Sequence, residues 1–114
     1  MNDKKLEGKM NSFSLFNKFT VQEGKQDSLV EILLSAAEGM KNMDECELYL
    51  VNTADGEPDS VYVYEVWRNE AAHRASLSHE SAQTLIRHAK PMITGIERIT
   101  TLTTRGGKGI SSSF

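Results

Sequence analysis

Between residues 13 and 21 apolar and polar side chains alternate, with Phe13, Leu15, Phe19 and Val21 separated by Ser14, Lys18 and Thr20. A period of two predicts a strand with one buried face, and Asn17 interrupts the apolar side of it. Gly24 breaks this strand. Leu29, Ile32, Leu33, Ala36, Ala37 and Met40 then follow helical spacing, which predicts an amphipathic helix from Lys25 to about Met40, with Gly39 near its end. Alternation resumes from Cys46 to Asn52, and Asp55-Gly56 with Pro58 supplies a turn. Ser60 to Trp67, rich in Val and Tyr, is the strongest strand signal, and so short a connection implies an antiparallel hairpin. Asn69 can cap a short helix through Glu70 to His73. Ser78 can cap a second stretch carrying Ala82, Leu85, Ile86, Ala89 and Met92 on one face, with Pro91 weakening its last turn and Gly95 ending it. Ile96 to Thr104 reads as a fourth strand.

The order β, α, β, β, α, β predicts an α+β, ferredoxin-like fold: a four-stranded antiparallel sheet with both helices on one face. Residues 12–105 form one domain between flexible tails at 1–11 and 106–114. Gly106-Gly107-Lys108-Gly109 lacks the spacing of a phosphate loop, and no helical pattern follows it. Tyr62, Tyr64 and Val66 fall on the face opposite Val61, Val63, Glu65 and Trp67. An uncovered face of that kind predicts an interface, and a symmetric homodimer would hide it.

The chain has 114 residues, enough for one core. Thirteen basic and sixteen acidic side chains leave a net charge of −3, which provides no attraction to nucleic acid or an anionic membrane. No run approaches the roughly 20 apolar residues that span a bilayer. The charged start, MNDKKLEGKMN, lacks the apolar core of a secretion signal. Cys46 is the single cysteine, which excludes an internal disulfide and a cysteine cage and fits a reducing cytoplasm.

Candidate chemistry is sparse. No His, Glu or Cys spacing matches a metal site and no glycine fingerprint follows a strand, so no metal, flavin or haem is expected. Glu65 and Asn17 both fall on the buried sheet face, where a carboxylate or amide needs partners. Trp67 reads either as core or as the wall of a site. His73 and Arg87 read either as solvated helix residues or as site residues.

The stretch Tyr64-Glu65-Val66-Trp67-Arg68-Asn69-Glu70-Ala71-Ala72-His73 resembles the antibiotic biosynthesis monooxygenase family, in which a strand ending in Glu-x-Trp leads into a capped helix opening with acidic residues and Ala. The leading strand, Gly24 and the Cys46 to Tyr49 segment are similar too. The resemblance implies a dimeric α+β barrel with a pocket between sheet and helices in each protomer. Some members oxygenate polycyclic phenols or quinols with dioxygen and no cofactor, some cleave haem, and one branch isomerises a phosphorylated sugar-derived signal. Towards the haem-cleaving branch Asn17 matches, but Ser76 stands where a Trp is needed and Ile86 near the later His, with His88 displaced. Towards the cofactor-free branch Trp67, His73 and Arg87 fall at matching positions, while Val63 replaces an Asn.

The resemblance therefore implies a cofactor-independent monooxygenase taking a small aromatic or quinol-like substrate. His73 would be the base and Arg87 the oxyanion stabiliser, with Asn17, Glu65 and Trp67 contacting the substrate. The alternative is a dimeric ligand-binding or stress-response protein without turnover. The two differ in whether His73 and Arg87 point with Trp67 into one cavity. An isomerase would need a basic pocket, which the net charge does not favour.

Overall fold

A computed structural model describes residues 12–109. The elements follow as β1 (Ser12–Val21), α1 (Gln26–Gly39), β2 (Cys46–Asn52), β3 (Ser60–Trp67), α2 (Glu70–Ser76), α3 (Glu80–Ala89), a 3-10 turn (Lys90–Met92) and β4 (Ile93–Thr104). The strands form one antiparallel sheet in the order β2-β3-β1-β4, the ferredoxin-like α+β arrangement. The tail expected at 1–11 lies outside the described residues, as does the end of the one expected at 106–114. Residues 106–109 leave β4 without further helix or strand.

Alternation puts the odd-numbered residues of β1 and β3 on one face, with Leu15 opposite Glu65, Asn17 opposite Val63 and Phe19 opposite Val61. On that face Val21, Val61 and Val63 meet Leu29 and Leu33 of α1 and Ala89 of α3, none more than 4% exposed. α1 forms because Leu29, Leu33 and Ala36 return to one side every third or fourth residue. Gly24 (φ 80°) and Gly56 (φ 78°) make turns in a backbone region that costs any other residue strain. The Gln26 amide, at the start of α1, donates to the carbonyls of Glu57 and Ser60 at 3.0 and 2.9 Å. These two bonds tie the β2–β3 turn to the helix layer.

Two boundaries differ from the sequence pattern. His79, not Ser78, caps α3: its Nδ1 accepts the Ser81 N–H, while the Ser78 hydroxyl turns back to the Ala75 carbonyl. At the other end Pro91 does not merely weaken a helix that runs on to Gly95. Lacking an N–H, it fits the tighter 3-10 turn, and the Met92 carbonyl accepts the Gln22 N–H at 2.9 Å. β4 therefore begins at Ile93, and Gly95 lies within it opposite Thr20.

The helix layer covers β2, β3 and β1 but stops short of β4. Ile96 pairs with Phe19 and so lies on the helix-side face, yet it is 66% exposed. On the opposite face Phe16 stacks on Tyr62 at 5.8 Å and meets Tyr64 edge-on at 6.3 Å. Leu50 and Leu102 also belong to this face and are exposed. Among the described residues no helix is long and apolar enough to cross a membrane.

Leu29 is 0% exposed at the centre of the helix–sheet contact. Leu29→Ala is expected to lower stability by about 2–5 kcal/mol, measured by urea denaturation. A loss below about 1 kcal/mol would mean that the core is centred elsewhere.

Candidate functional site

β3 delivers two chemically distinct residues to its end of the helix-side face. Trp67, opposite Phe13 on β1, is 1% exposed. Two residues earlier Glu65 lies between Leu15 of β1 and Tyr49 of β2, and its Oε1 accepts the Trp67 indole N–H at 2.9 Å. The chain then turns at Asn69, whose extended backbone and side-chain oxygen cap α2 by accepting the Ala72 N–H at 2.8 Å. One turn on, α2 lays His73 back over the strand end. Its ring sits 5.6 Å from Trp67 at 66° and 5.8 Å from Phe13 at 44°.

The fourth member of the cluster comes from β4. Asn17 pairs with Arg98 and Phe16 with Thr100, so Ile99 is an extra residue that bulges the strand. The bulge keeps Arg98 on the helix-side face, where its Nε donates to Asn17 Oδ1 at 3.4 Å. Arg98 is exposed, and among the described residues no carboxylate makes an ion pair with it.

Burial and charge set the protonation of this group. Desolvation lowers the pKa of His73 below its ordinary 6.5, and the Arg98 and Arg74 charges add to that against the pull of Glu70. Desolvation raises the Glu65 carboxyl, which the Trp67 hydrogen bond and Arg98 partly offset. Burial likewise pushes the Cys46 thiol up to about 11 and raises the Tyr49 phenol further still. A lowered histidine pKa means that the fold binds fewer protons than the unfolded chain. The stability linked to His73 is therefore complete above pH 6.5 and is lost as pH falls through its folded value.

Of the five residues singled out by sequence, Glu65, Trp67 and His73 are brought together, Asn17 lies farther along the same sheet face and reaches them only through Arg98, and Arg87 is apart. Arg87 is exposed on α3, and its Nη2 donates to Thr84 on the same helix at 3.2 Å. The cation whose field reaches His73 and Glu65 is Arg98. Nothing in the local sequence marked it, because its position depends on a bulge in a distant pairing. Trp67 is closed off beneath His73 and Phe13, while Arg98, hydrogen-bonded to Asn17, is exposed and its charge reaches the half-buried His73. A separate open cleft of about 750 Å³ lies between α1 and α3, lined by Ser28, Glu31, Ser35, His79, Thr84 and His88 among others. None of the five residues borders it. Among the described residues no group of three or more His, Cys, Asp or Glu side chains is placed to hold a metal. The group instead offers a proton acceptor and a cation whose field reaches it, the cation being hydrogen-bonded to an amide.

The family model for antibiotic biosynthesis monooxygenases matches residues 12–88, a span that ends before Arg98. Among solved structures, a provisionally named antibiotic biosynthesis monooxygenase from Chloroflexus aurantiacus is 31% identical, with a TM-score of 0.80 over 88% of this chain and 99% of its own. A protein from Shewanella oneidensis shares 20% identity and a TM-score of 0.74 over 83% of this chain and 92% of its own. A provisionally named monooxygenase from Caulobacter crescentus shares 15% identity, with a TM-score of 0.72 over 87% and 92%. The last two are likenesses of fold. No curated protein matches the chain.

Arg98→Met should raise the titration midpoints of both His73 and Glu65, because the guanidinium disfavours the protonated form of each. NMR titration of the imidazole protons and the side-chain carboxyl carbon reads both at once. An unchanged His73 midpoint would remove Arg98 from its surroundings.

Proposed function

The chain belongs to the antibiotic biosynthesis monooxygenase family, and from that premise we propose that it is a cofactor-independent monooxygenase acting on a phenol or quinol with dioxygen. A neutral phenol is a poor electron donor and its anion a good one, so deprotonation comes first. His73, biased towards its neutral form, takes the proton. Arg98, with Asn17 beside it, holds the oxyanion through the steps that follow. An electron passes from the anion to dioxygen, and the two radicals combine at a ring carbon. Loss of water then leaves a quinone. One oxygen atom enters the ring and the other leaves as water, and all four electrons come from the substrate, so no external reductant is consumed.

The observation that carries this reading is a desolvated histidine within the field of an exposed arginine that no carboxylate among the described residues pairs. The oxyanion role expected of Arg87 passes to Arg98, because Arg87 is engaged on its own helix. A second reading, a ligand-binding protein without turnover, draws on one observation: the indole of Trp67 is 1% exposed and so cannot stack on a substrate unless His73 or Phe13 moves. The lone Cys46 favours a reducing cytoplasm as the setting.

We also propose a homodimer, formed through the face that carries Phe16, Tyr62 and Tyr64. The support is an aromatic cluster on the face that carries the exposed Leu50 and Leu102 and that no helix among the described residues covers.

Oxygen uptake with a panel of hydroquinones separates the two functional readings. His73→Ala should lower turnover by about 10²- to 10⁴-fold with KM little changed, as expected for a general base. Arg98→Ala should raise KM and lower kcat together, and Arg87→Ala should do so much less. A folded His73→Ala protein consuming oxygen at the parental rate would remove His73 from the mechanism. The reverse order for the two arginines would restore Arg87. For the dimer, Tyr64→Glu places charge in the interface and should yield monomers by size-exclusion chromatography with light scattering. Unchanged elution would exclude that face.

A further inference from the structure

Glu65 takes no part in the chemistry just described, yet it is the least expected residue of the cluster. Withdrawing a carboxylate from water is unfavourable, and an apolar side chain of similar volume would fit between Leu15 and Tyr49 without that cost. What the carboxylate does is accept the Trp67 indole N–H at 2.9 Å. The N–H is the only polar group of an indole, and this indole is 1% exposed. A different ring orientation would strand the N–H away from water, so Glu65 decides how Trp67 sits. The same indole meets the His73 ring at 5.6 Å and 66°. Among the described residues no hydrogen bond reaches either ring nitrogen of His73, so its orientation depends on the aromatic rings packed against it.

We propose that Glu65 is a positioning residue: by fixing the indole of Trp67 it fixes the ring plane of His73 and gives the base a single orientation. The functional weight of this rests on the reading of His73 as a base, but the coupling from Glu65 through Trp67 to His73 can be measured without turnover. The groups facing Glu65 are Cys46 and Tyr49 from β2, Arg98 from β4 and, across the indole, His73 from α2. Burial holds the thiol and the phenol protonated well above neutrality. Between pH 4 and 8 the titrating members are therefore Glu65 and His73.

Trp67 is the only tryptophan, so ¹⁵N-labelled protein shows one indole N–H resonance. That resonance should shift as Glu65 ionises, at a pH above the ordinary carboxylate value of 4.5. In Glu65→Gln, which keeps an acceptor oxygen and loses the charge, the part of that shift that follows Glu65 should vanish and only the step due to His73 should remain, while the His73 ring signals stay single and sharp. In Glu65→Leu, which has no acceptor, the indole signal should move upfield and the His73 signals should broaden or split. With a substrate that supports oxygen uptake, Glu65→Leu should lower kcat on the order of 10- to 100-fold with KM nearly unchanged, and Glu65→Gln should rescue most of it. The proposal is overturned if Glu65→Gln keeps the parental pH response of the indole, or if His73 is unperturbed in a folded Glu65→Leu protein. If the leucine variant does not fold, the glutamine comparison decides alone. A parent protein that consumes no oxygen while its indole still follows Glu65 supports the positioning and sinks only the oxygenase reading.

Discussion

The unbroken register between β1 and β3 is the constraint on which the rest of this structure depends. From Phe13 opposite Trp67 to Thr20 opposite Ser60 the two central strands pair without a slip. Side chains alternate with a period of two, so a shift of β3 by one residue against β1 would bring Tyr62 and Tyr64 under the helices and expel Val61 and Val63. The site depends on the same alternation. Asn17 and Glu65 share a face with the core because they are odd-numbered residues on strands whose odd-numbered residues point to the helices.

The irregularities lie outside that central pair. Register shifts occur where β1 meets β4 and where β2 meets β3. The one at Ile99 keeps Arg98 beside Asn17, and the helix layer stops short of the strand that carries it. Water and ligands can therefore approach the polar end of the sheet from the β4 side, while Trp67 stays sealed beneath it. Desolvation acts in opposite senses on the two titrating groups, disfavouring charge on His73 and on Glu65 alike. Arg98 biases both towards the deprotonated form, which leaves the histidine ready to accept a proton.

Family membership constrains the fold more tightly than the reaction. Proteins of low sequence identity to this chain keep the same sheet and helix order, because that order needs only apolar residues of suitable size at alternating positions. Chemistry depends on a few polar side chains, and the candidates here come from β1, β3, α2 and β4. Two of them, Glu65 and Trp67, bear on the others through the direction in which they hold a ring.

The chain's local patterns by themselves determined the element order, the odd-numbered core face, the Asn69 cap and the bounds of β2 and β3. Each depends on residues within a few positions of one another: a period of two or of 3.6, a capping side chain, a turn glycine. Helix ends near Pro91 and Ser78 were less legible, since the backbone groups there are satisfied by partners the local pattern does not identify, such as the Gln22 N–H at Met92. The grouping of Glu65, Trp67 and His73 was visible, because all three lie within nine residues across one strand–helix junction. The cation was not. Arg87 and Arg98 are alike as charged residues in the sequence, and what distinguishes them is a bulge in a pairing with β1, where Arg98 meets a residue 81 positions away. Only the assembled sheet decided that the charge of Arg98 reaches His73 and that Trp67 lies buried against the His73 ring, because contacts between distant strands are set by register and burial acting together.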